Sequence, residues 1–398
     1  MKHFEIIPLI IMGSIAAVLA LRALYLLGLG AFALKKTKPY PVAEEKRRFC
    51  AVVAARNEEP VIGSLIRSLQ EQNYPHEKLD IVVLLNNCTD DTRSVSLSCG
   101  ARVYDCRGKI ERKGEALAEF FATDVIGRYD AFCVFDADNL ADRDFISRMN
   151  DALNAGVRLA QGFKDSKNPS GSWVAGCSSL YFRFLDRFVN GAAHRAGLSC
   201  FLLGTGMMIS ADYLRAFGYQ SFTLIEDIEL TMQGTLNGET VAYVREALTY
   251  DEQPEAHMTS WIQRKRWSSG MEQCVKLYGA ELRKQSFSAR SLSAFNLLFF
   301  ASTVRAQVLI AILLPLLLLW LLIVYGAGKS LRILVLALLL WFVLCTLLAL
   351  KLRKRQCRDA GMRAVLMLWF YWLEWIVINA LCRWKPETEW KPIRHFGA

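Results

Sequence analysis

An α/β domain joined to α-helical transmembrane segments is the fold class that the sequence predicts, on three observations. Short apolar runs of strand length alternate with helical periodicity between residues 40 and 285. A polar turn rich in Asn and Asp follows each run, and long apolar stretches flank the whole block. Composition agrees: of 398 residues 53% are hydrophobic and 22% charged, too apolar for a disordered chain and too polar for one embedded throughout.

Taken in order, residues 6–34 carry Arg22 as their one charge and exceed the ~20 residues that span a bilayer core. The run is too long for a cleaved signal, so residues 1–34 are predicted to hold an N-terminal transmembrane helix. Three further apolar stretches lie at 304–325, 331–350 and 364–382. Basic clusters at Lys35, Lys36, Lys38, Lys46, Arg47 and Arg48, and again at Lys351, Arg353, Lys354, Arg355, Arg358 and Arg363, place both segments, and the soluble block 40–285 with them, in the cytoplasm. The expected location is the plasma membrane, of bacterial type. Gly326-Ala327-Gly328-Lys329 reads as the outer turn between two spans. Residues 364–382 hold Glu374 at their middle, with Trp369, Tyr371, Trp372 and Trp375, ahead of the basic Arg383, Lys385, Lys391 and Arg394. A full crossing and an interfacial or re-entrant helix both fit, and the second keeps that tail inside. Residues 286–303, of mixed polarity, suit a helix lying along the membrane surface, with 304–382 as the C-terminal helices and 383–398 as a basic, Trp-containing tail. The net charge of +10 follows from this topology, so no nucleic-acid partner is expected. Eleven Cys without a C-x-x-C pair read as reduced small hydrophobes.

Within the block, residues 49–55 form an apolar strand, Arg56-Asn57-Glu58-Glu59-Pro60 a loop, and Val61, Ile62, Leu65, Ile66 and Leu69 an amphipathic helix with Pro60 in its first turn. Residues 79–85, apolar save Asp80, form a second strand, followed by the turn Asn86-Asn87-Cys88-Thr89-Asp90-Asp91 and a helix at 92–99. A third strand, 131–135, ends in Asp136-Ala137-Asp138. Continuous apolar strands alternating with helices predict a parallel sheet covered on both faces, with its ligand site beyond the carboxyl ends of the strands. No G-x-x-x-x-G-K-[ST] loop and no G-x-G-x-x-G follows a strand, so phosphates would be held by a metal and side chains.

Three motifs carry chemistry. Asp136 and Asp138 at the end of a buried strand suit a hard cation, Mg2+ or Mn2+, on a diphosphate, although such a pair alone is more often a turn or a cap. Glu226-Asp227 alone would be the exposed first turn of a helix. Trp261-Ile262-Gln263-Arg264-Lys265-Arg266-Trp267 alone would be a juxtamembrane helix touching lipid headgroups. Their order, with Asn57-Glu58 and the Asp-rich turn before them and apolar spans on either side, resembles the membrane-bound family 2 glycosyltransferases, among them the cellulose, hyaluronan, chitin and poly-N-acetylglucosamine synthases. The resemblance covers roughly residues 45 to 275.

It implies a GT-A (Rossmann-like) fold that binds a UDP-sugar, with Glu58, Asn86, Lys113, Asp136, Gln263, Arg266 and Trp267 around the donor. By the same resemblance Asp136 faces the ribose, Asp138 binds Mg2+ or Mn2+, and Asp227, beside Glu226, is the general base on the acceptor hydroxyl. Gln263, Arg266 and Trp267 match Q-x-x-R-W, which binds the pyrophosphate and walls the acceptor site, and Gly204-Thr205-Gly206 occupies the place of a small-residue loop near the acceptor. Two positions depart from the pattern: Ile225 stands where Thr is usual, and Asn86 where an Asp contacts uracil, able to accept from the uracil N–H but without charge.

The implied activity is inverting transfer from an α-linked UDP-sugar, building and translocating a β-linked polysaccharide. The alternative is a single transfer onto a lipid, as in ceramide or diacylglycerol glucosyltransferases. The partners are then the UDP-sugar donor, a growing glycan or lipid acceptor, and membrane lipids. The tail Trp384-Lys385-Pro386 with residues 390–395 resembles the W-x-P segment of polymer synthases and favours the polymer, while the aromatics at 369–375 read as an interfacial belt more than a sugar track. A nucleotide-binding sensor would not need Asp138, Asp227 and Arg266 together, and a transporter would not need a soluble insert of this length. His76, His194 and His257 are too dispersed to be ligands and read as solvated or core positions.

Overall fold

The computed structural model describes residues 2–288, 291–355 and 358–388. The tail motif at 390–395 lies outside the described residues. Eight strands form one sheet: β1 Phe49–Ala55, β2 Leu79–Leu85, β3 Arg102–Asp105, β4 Ala131–Asp136, β5 Leu140–Ala141, β6 Leu159–Ser166, β7 Met207–Ser210 and β8 Val241–Asp251, in the order β3-β2-β1-β4-β7-β6-β8-β5. The helices are α1 Lys2–Phe32, α2 Glu59–Gln70, α3 Thr92–Ser98, α4 Lys113–Phe121, α5 Phe145–Asn154, α6 Trp173–Phe184, α7 Gly191–Arg195, α8 Ala211–Phe217, α9 Glu226–Leu236, α10 His257–Ser288, α11 Leu292–Ala301, α12 Thr303–Arg353 and α13 Met362–Trp384; a π-helical turn, Leu185–Asn190, joins α6 to α7.

β1 runs parallel between β2 and β4, with Ala51 opposite both Ile81 and Cys133. Side chains alternate across a strand, so its continuous apolar run feeds two cores. Phe49, Ala51 and Val53 meet the α2 stripe Ile62, Leu65, Ile66 and Leu69, while Cys50 and Val52 join Leu117, Phe120 and Phe121 of α4.

The expected parallel pairing covers β3-β2-β1-β4 and stops there. β7 is antiparallel to both β4 and β6, β6 and β8 are parallel to each other, and β5 is antiparallel to β8, so the sheet is mixed. The cause is the excursion between β6 and β7, which leaves and re-enters at one end of the sheet and so reverses direction without a crossover. That end is the carboxyl end of β4. The excursion therefore delivers Tyr181, Phe182, Phe201 and Gly204 to the place where the acidic strand terminus lies.

Two helical stretches, 292–353 and 362–384, are long and apolar enough to cross a bilayer. α12 is broken at Gly326, whose φ of 72° suits a residue without Cβ. α13 packs along α6 and α10, and this contact explains the acid inside an apolar helix. Glu374 accepts from Arg264 at 2.7 Å and meets His257 at 2.5 Å, while the Tyr371 hydroxyl bonds Ser178 at 2.8 Å. Arg264 is fully buried over the Tyr371 ring, so this residue anchors a helix rather than touching headgroups.

Candidate active site

One cavity of about 820 Å³ lies over the carboxyl ends of β1 and β4, and all ten residues singled out from the sequence line it: Glu58, Asn86, Lys113, Asp136, Asp138, Glu226, Asp227, Gln263, Arg266 and Trp267. Strand termini supply one wall. Asn57 and Asn87, just past β1 and β2, have φ of 59° and 52°, the left-handed turn that Asn tolerates, and the Asn57 carboxamide oxygen accepts from the Thr89 amide at 2.8 Å. These turns hold Glu58 and Asn86 at the rim. The Asp136 amide donates to Asn139 Oδ1 at 3.0 Å and to Thr205 Oγ1 at 3.2 Å, which ties the end of β4 to the 204–206 loop.

Lys113 opens α4 and links the two acidic motifs. Its Nζ lies 2.5 Å from Asp136 Oδ1 and 3.5 Å from Glu226 Oε1, and also donates to the Gly204 carbonyl. Burial opposes its charge, but Asp136 and Glu226 outweigh that and raise its pKa. Asp136, despite the cost of burial, is held below the usual carboxylate range by Lys113. Asp227 moves the other way: burial, then the neighbouring Glu226, push it up to about 7. Its Oδ1 accepts from the Ile228 amide at 2.8 Å in the first turn of α9, so these acids form a lined wall and not an exposed helix end.

Two glycines permit this closeness. A Cβ on Gly114 would lie 2.0 Å from Ser221 Oγ and 2.9 Å from Glu226 Cβ, so only glycine lets α4 meet α9 here. Gly204 has φ of 80°, and its Cβ position faces Asp227 Oδ2 at 3.4 Å and Asp136 Oδ2 at 4.0 Å. Ile225 fills the usual Thr place with apolar contact: a Cβ on Gly270 of α10 would lie 2.8 Å from Ile225 Cγ1.

On α10, Gln263, Arg266 and Trp267 share the face toward the cavity, whereas Arg264 and Lys265 turn to the α13 side, Lys265 pairing with Glu387 at 2.6 Å. Trp267 stacks on Trp375 with centroids 6.4 Å apart and planes 18° apart. Trp372 and Trp375 thus line the cavity, which corrects the expectation of a belt: the α10 contact turns that face of α13 inward.

Sequence reasoning missed Lys164 and Asp251. Both line the cavity and form a buried ion pair, and Asp251 also accepts from Asn139 Nδ2 at 2.6 Å. The signal was faint because Lys164 and Asp165 interrupt the apolar pattern of β6. Beyond the sheet the cavity continues between α1, α11, α12 and α13, past Phe300, Arg22, Gln307 and Asn379.

Residues 47–270, more than half of the chain, match the model of the family described as glycosyltransferase like family 2. The chain belongs to this family. Its family relatives include the probable glycosyltransferase YdaM of Bacillus subtilis, 24% identical over 285 residues, covering 65% of this chain and 63% of that protein. Another is a beta-monoglucosyldiacylglycerol synthase of Synechocystis, 27% identical over 253 residues, covering 59% and 48%. The chain thus spans about half to under two thirds of the length of these two relatives. Among solved structures, the mannosyltransferase PcManGT from Pyrobaculum calidifontis, in complex with GDP-Man and Mn2+, superposes with a TM-score of 0.60 at 17% identity, covering 90% of this chain and 96% of that one. The family match and this likeness identify the fold as GT-A, a curled mixed sheet with C-terminal helices.

Proposed function

We propose that this family 2 glycosyltransferase moves a sugar from a nucleoside-diphosphate donor, UDP-linked on the sequence reading, to a hydroxyl of a membrane-lipid acceptor, with inversion. A single observation carries it: Asp138, Asp227 and Arg266 line one cavity that continues into an arm walled by apolar helices. The donor occupies the sheet end. Asn86 accepts from the base, and Arg266 with Gln263 meets the diphosphate, where an Arg fork matches phosphate oxygens.

A divalent cation fits beside them. Asp138 and Asp136 both line the cavity, and an ion held on Asp138 would keep positions open for a diphosphate. It would neutralise charge on the leaving group. Asp227 takes the proton of the acceptor hydroxyl while the oxygen attacks the anomeric carbon from the side opposite the diphosphate. The C–O electron pair leaves with the nucleotide, and an α-linked donor gives a β-glycoside. Lys113 holds Asp136 and Glu226 in place and balances the acids around Asp227.

On this reading the chain is an integral membrane protein, α1, α12 and α13 being its membrane part and the sheet lying on the cytoplasmic face. The apolar arm favours a lipid over a growing glycan. The stacked pair Trp267 and Trp375 is the observation that favours a glycan, since such rings can carry sugar faces. Purified protein with Mn2+ and one donor at a time, UDP-glucose, UDP-N-acetylglucosamine or GDP-mannose, in lipid, tests both. Release of the nucleoside diphosphate with one hexose added to a lipid supports the reading, a ladder of masses supports the polymer, and no release from any donor refutes transfer.

A further inference from the structure

Arg22 is the one charge in the first apolar stretch, and an ionisable residue in such a helix is by default a functional group whose partner must be found. Its partners here are all neutral. Nη1 donates to Ser302 Oγ at 2.8 Å, and Nη2 to Thr303 Oγ1 at 2.7 Å and to the Phe299 carbonyl at 3.1 Å. The guanidinium carbon lies 4.3 Å from the centre of the Phe299 ring. Among the described residues no carboxylate pairs with it, and three bonds leave two of its five N–H donors unused.

Its position matters as much. Leu29 of α1 and Ala33 just beyond it pack on Ala192 of α7, with Tyr25 against Phe295 and Phe299, while Leu21 and Leu24 are exposed. Arg22 therefore stands inside the apolar stretch, about two turns before the residues of α1 that pack on α7. It also lines the cavity, in the arm shared with Leu26, Val304 and Ile310. An uncompensated cation at the side of an apolar arm is complementary to an amphiphile with an anionic head.

We propose that the arm binds a phosphate-bearing membrane lipid, with the phosphate on Arg22, the apolar chains along α1 and α12, and a hydroxylated head group extending toward Asp227. This rests on the transfer reading for the head group but not for the phosphate. The Arg fork and the Thr303 hydroxyl would supply charge-assisted bonds.

The test uses the full chain in maltoside detergent without donor, following the fluorescence of the indoles that line the cavity, Trp267, Trp341, Trp372 and Trp375. The probes are dioctanoyl phosphatidate, dioctanoylglycerol and inorganic phosphate. Phosphatidate should bind about tenfold more tightly than dioctanoylglycerol, Arg22→Gln should bring the two within about twofold, and Arg22→Lys should keep most of the preference. Equal binding of both lipids by the wild type overturns the proposal, as does a preference untouched by Arg22→Gln. So does inorganic phosphate that competes as strongly as phosphatidate, which would mean a site for free anions. If Arg22→Gln binds neither lipid, Arg22→Lys decides: loss there too means a structural residue and overturns the proposal. Nucleotide release, assayed separately, reports on the transfer reading, so either can fail alone.

Discussion

The donor end and the acceptor end of the cavity are built from different material. Strand termini and tight Asn turns make the donor end, where cations and acids neutralise each other: Lys113 with Asp136 and Glu226, Lys164 with Asp251. Helices and aromatic rings make the acceptor end, where polar groups are few and Arg22 has no acid partner among the described residues. The contrast follows from the ligands proposed for each end. A sugar diphosphate brings charge that a rigid, pre-paired cluster can exchange for its own, whereas an amphiphile brings apolar surface that needs a helical wall.

Asp227 stands at the junction, and removing its basicity should have the largest effect. Asp227→Asn keeps the volume and the contact with the Ile228 amide but cannot take a proton, so turnover should fall about 10²–10⁴-fold with donor binding retained. Nucleotide release and a binding titration on the same sample measure the two. Normal turnover in the variant would remove Asp227 from the role of base.

Glu374→Leu attacks the acceptor end alone. It leaves the buried Arg264 guanidinium with the Tyr371 carbonyl but no acid, and breaking a buried pair costs about 3–5 kcal/mol. Thermal unfolding in detergent should show the loss, and donor binding should survive at temperatures below the new transition. An unchanged melting curve would mean that α13 is not held by this pair.

Gly114→Ala strikes the donor end by geometry. The added methyl would lie 2.0 Å from Ser221 Oγ and 2.9 Å from Glu226 Cβ, so the segment leading into α9 and its first residue must move away from Lys113. A displacement near 1 Å of a catalytic group can cost about 10²-fold, here in kcat with little change in KM for the donor. Steady-state kinetics on the purified variant check this, and wild-type kcat would show that the two helices have slack.

The same division governs what could be read from the sequence. β1 and β2 occupy the residues expected, 49–55 and 79–85, because strands buried on both faces write themselves as unbroken apolar runs. β6 does not, since Lys164 and Asp165 are buried through partners supplied by distant segments: Asp251 for Lys164, Arg183 for Asp165. β3 and β7 are four residues long, too short for a period to show. Asn86, Lys113, Asp136 and Asp138, expected from the motifs around the donor and its metal, line one cavity. On the acceptor side, Trp372 and Trp375 were misread because which face of α13 turns inward depends on Glu374 meeting Arg264, a pairing across 110 residues.

Proton concentration offers the finest probe of the contrast, because Asp136 at the donor end and Asp227 at the junction titrate in different ranges. Asp136 is held below the usual carboxylate range by Lys113 against the cost of burial, so it stays ionised near neutral pH. Asp227 is pushed to about 7 by burial and by Glu226, with the Ile228 amide and Lys113 pulling the other way. A base works only when ionised, so its protonated fraction grows as pH falls through about 7, and kcat/KM should drop about tenfold per pH unit below that point and level off above it. Donor binding over the same range should stay flat. A profile of kcat/KM without a break between pH 5.5 and 8 would place the base elsewhere, and a parallel fall in donor affinity would show that the two ends share their titrating group.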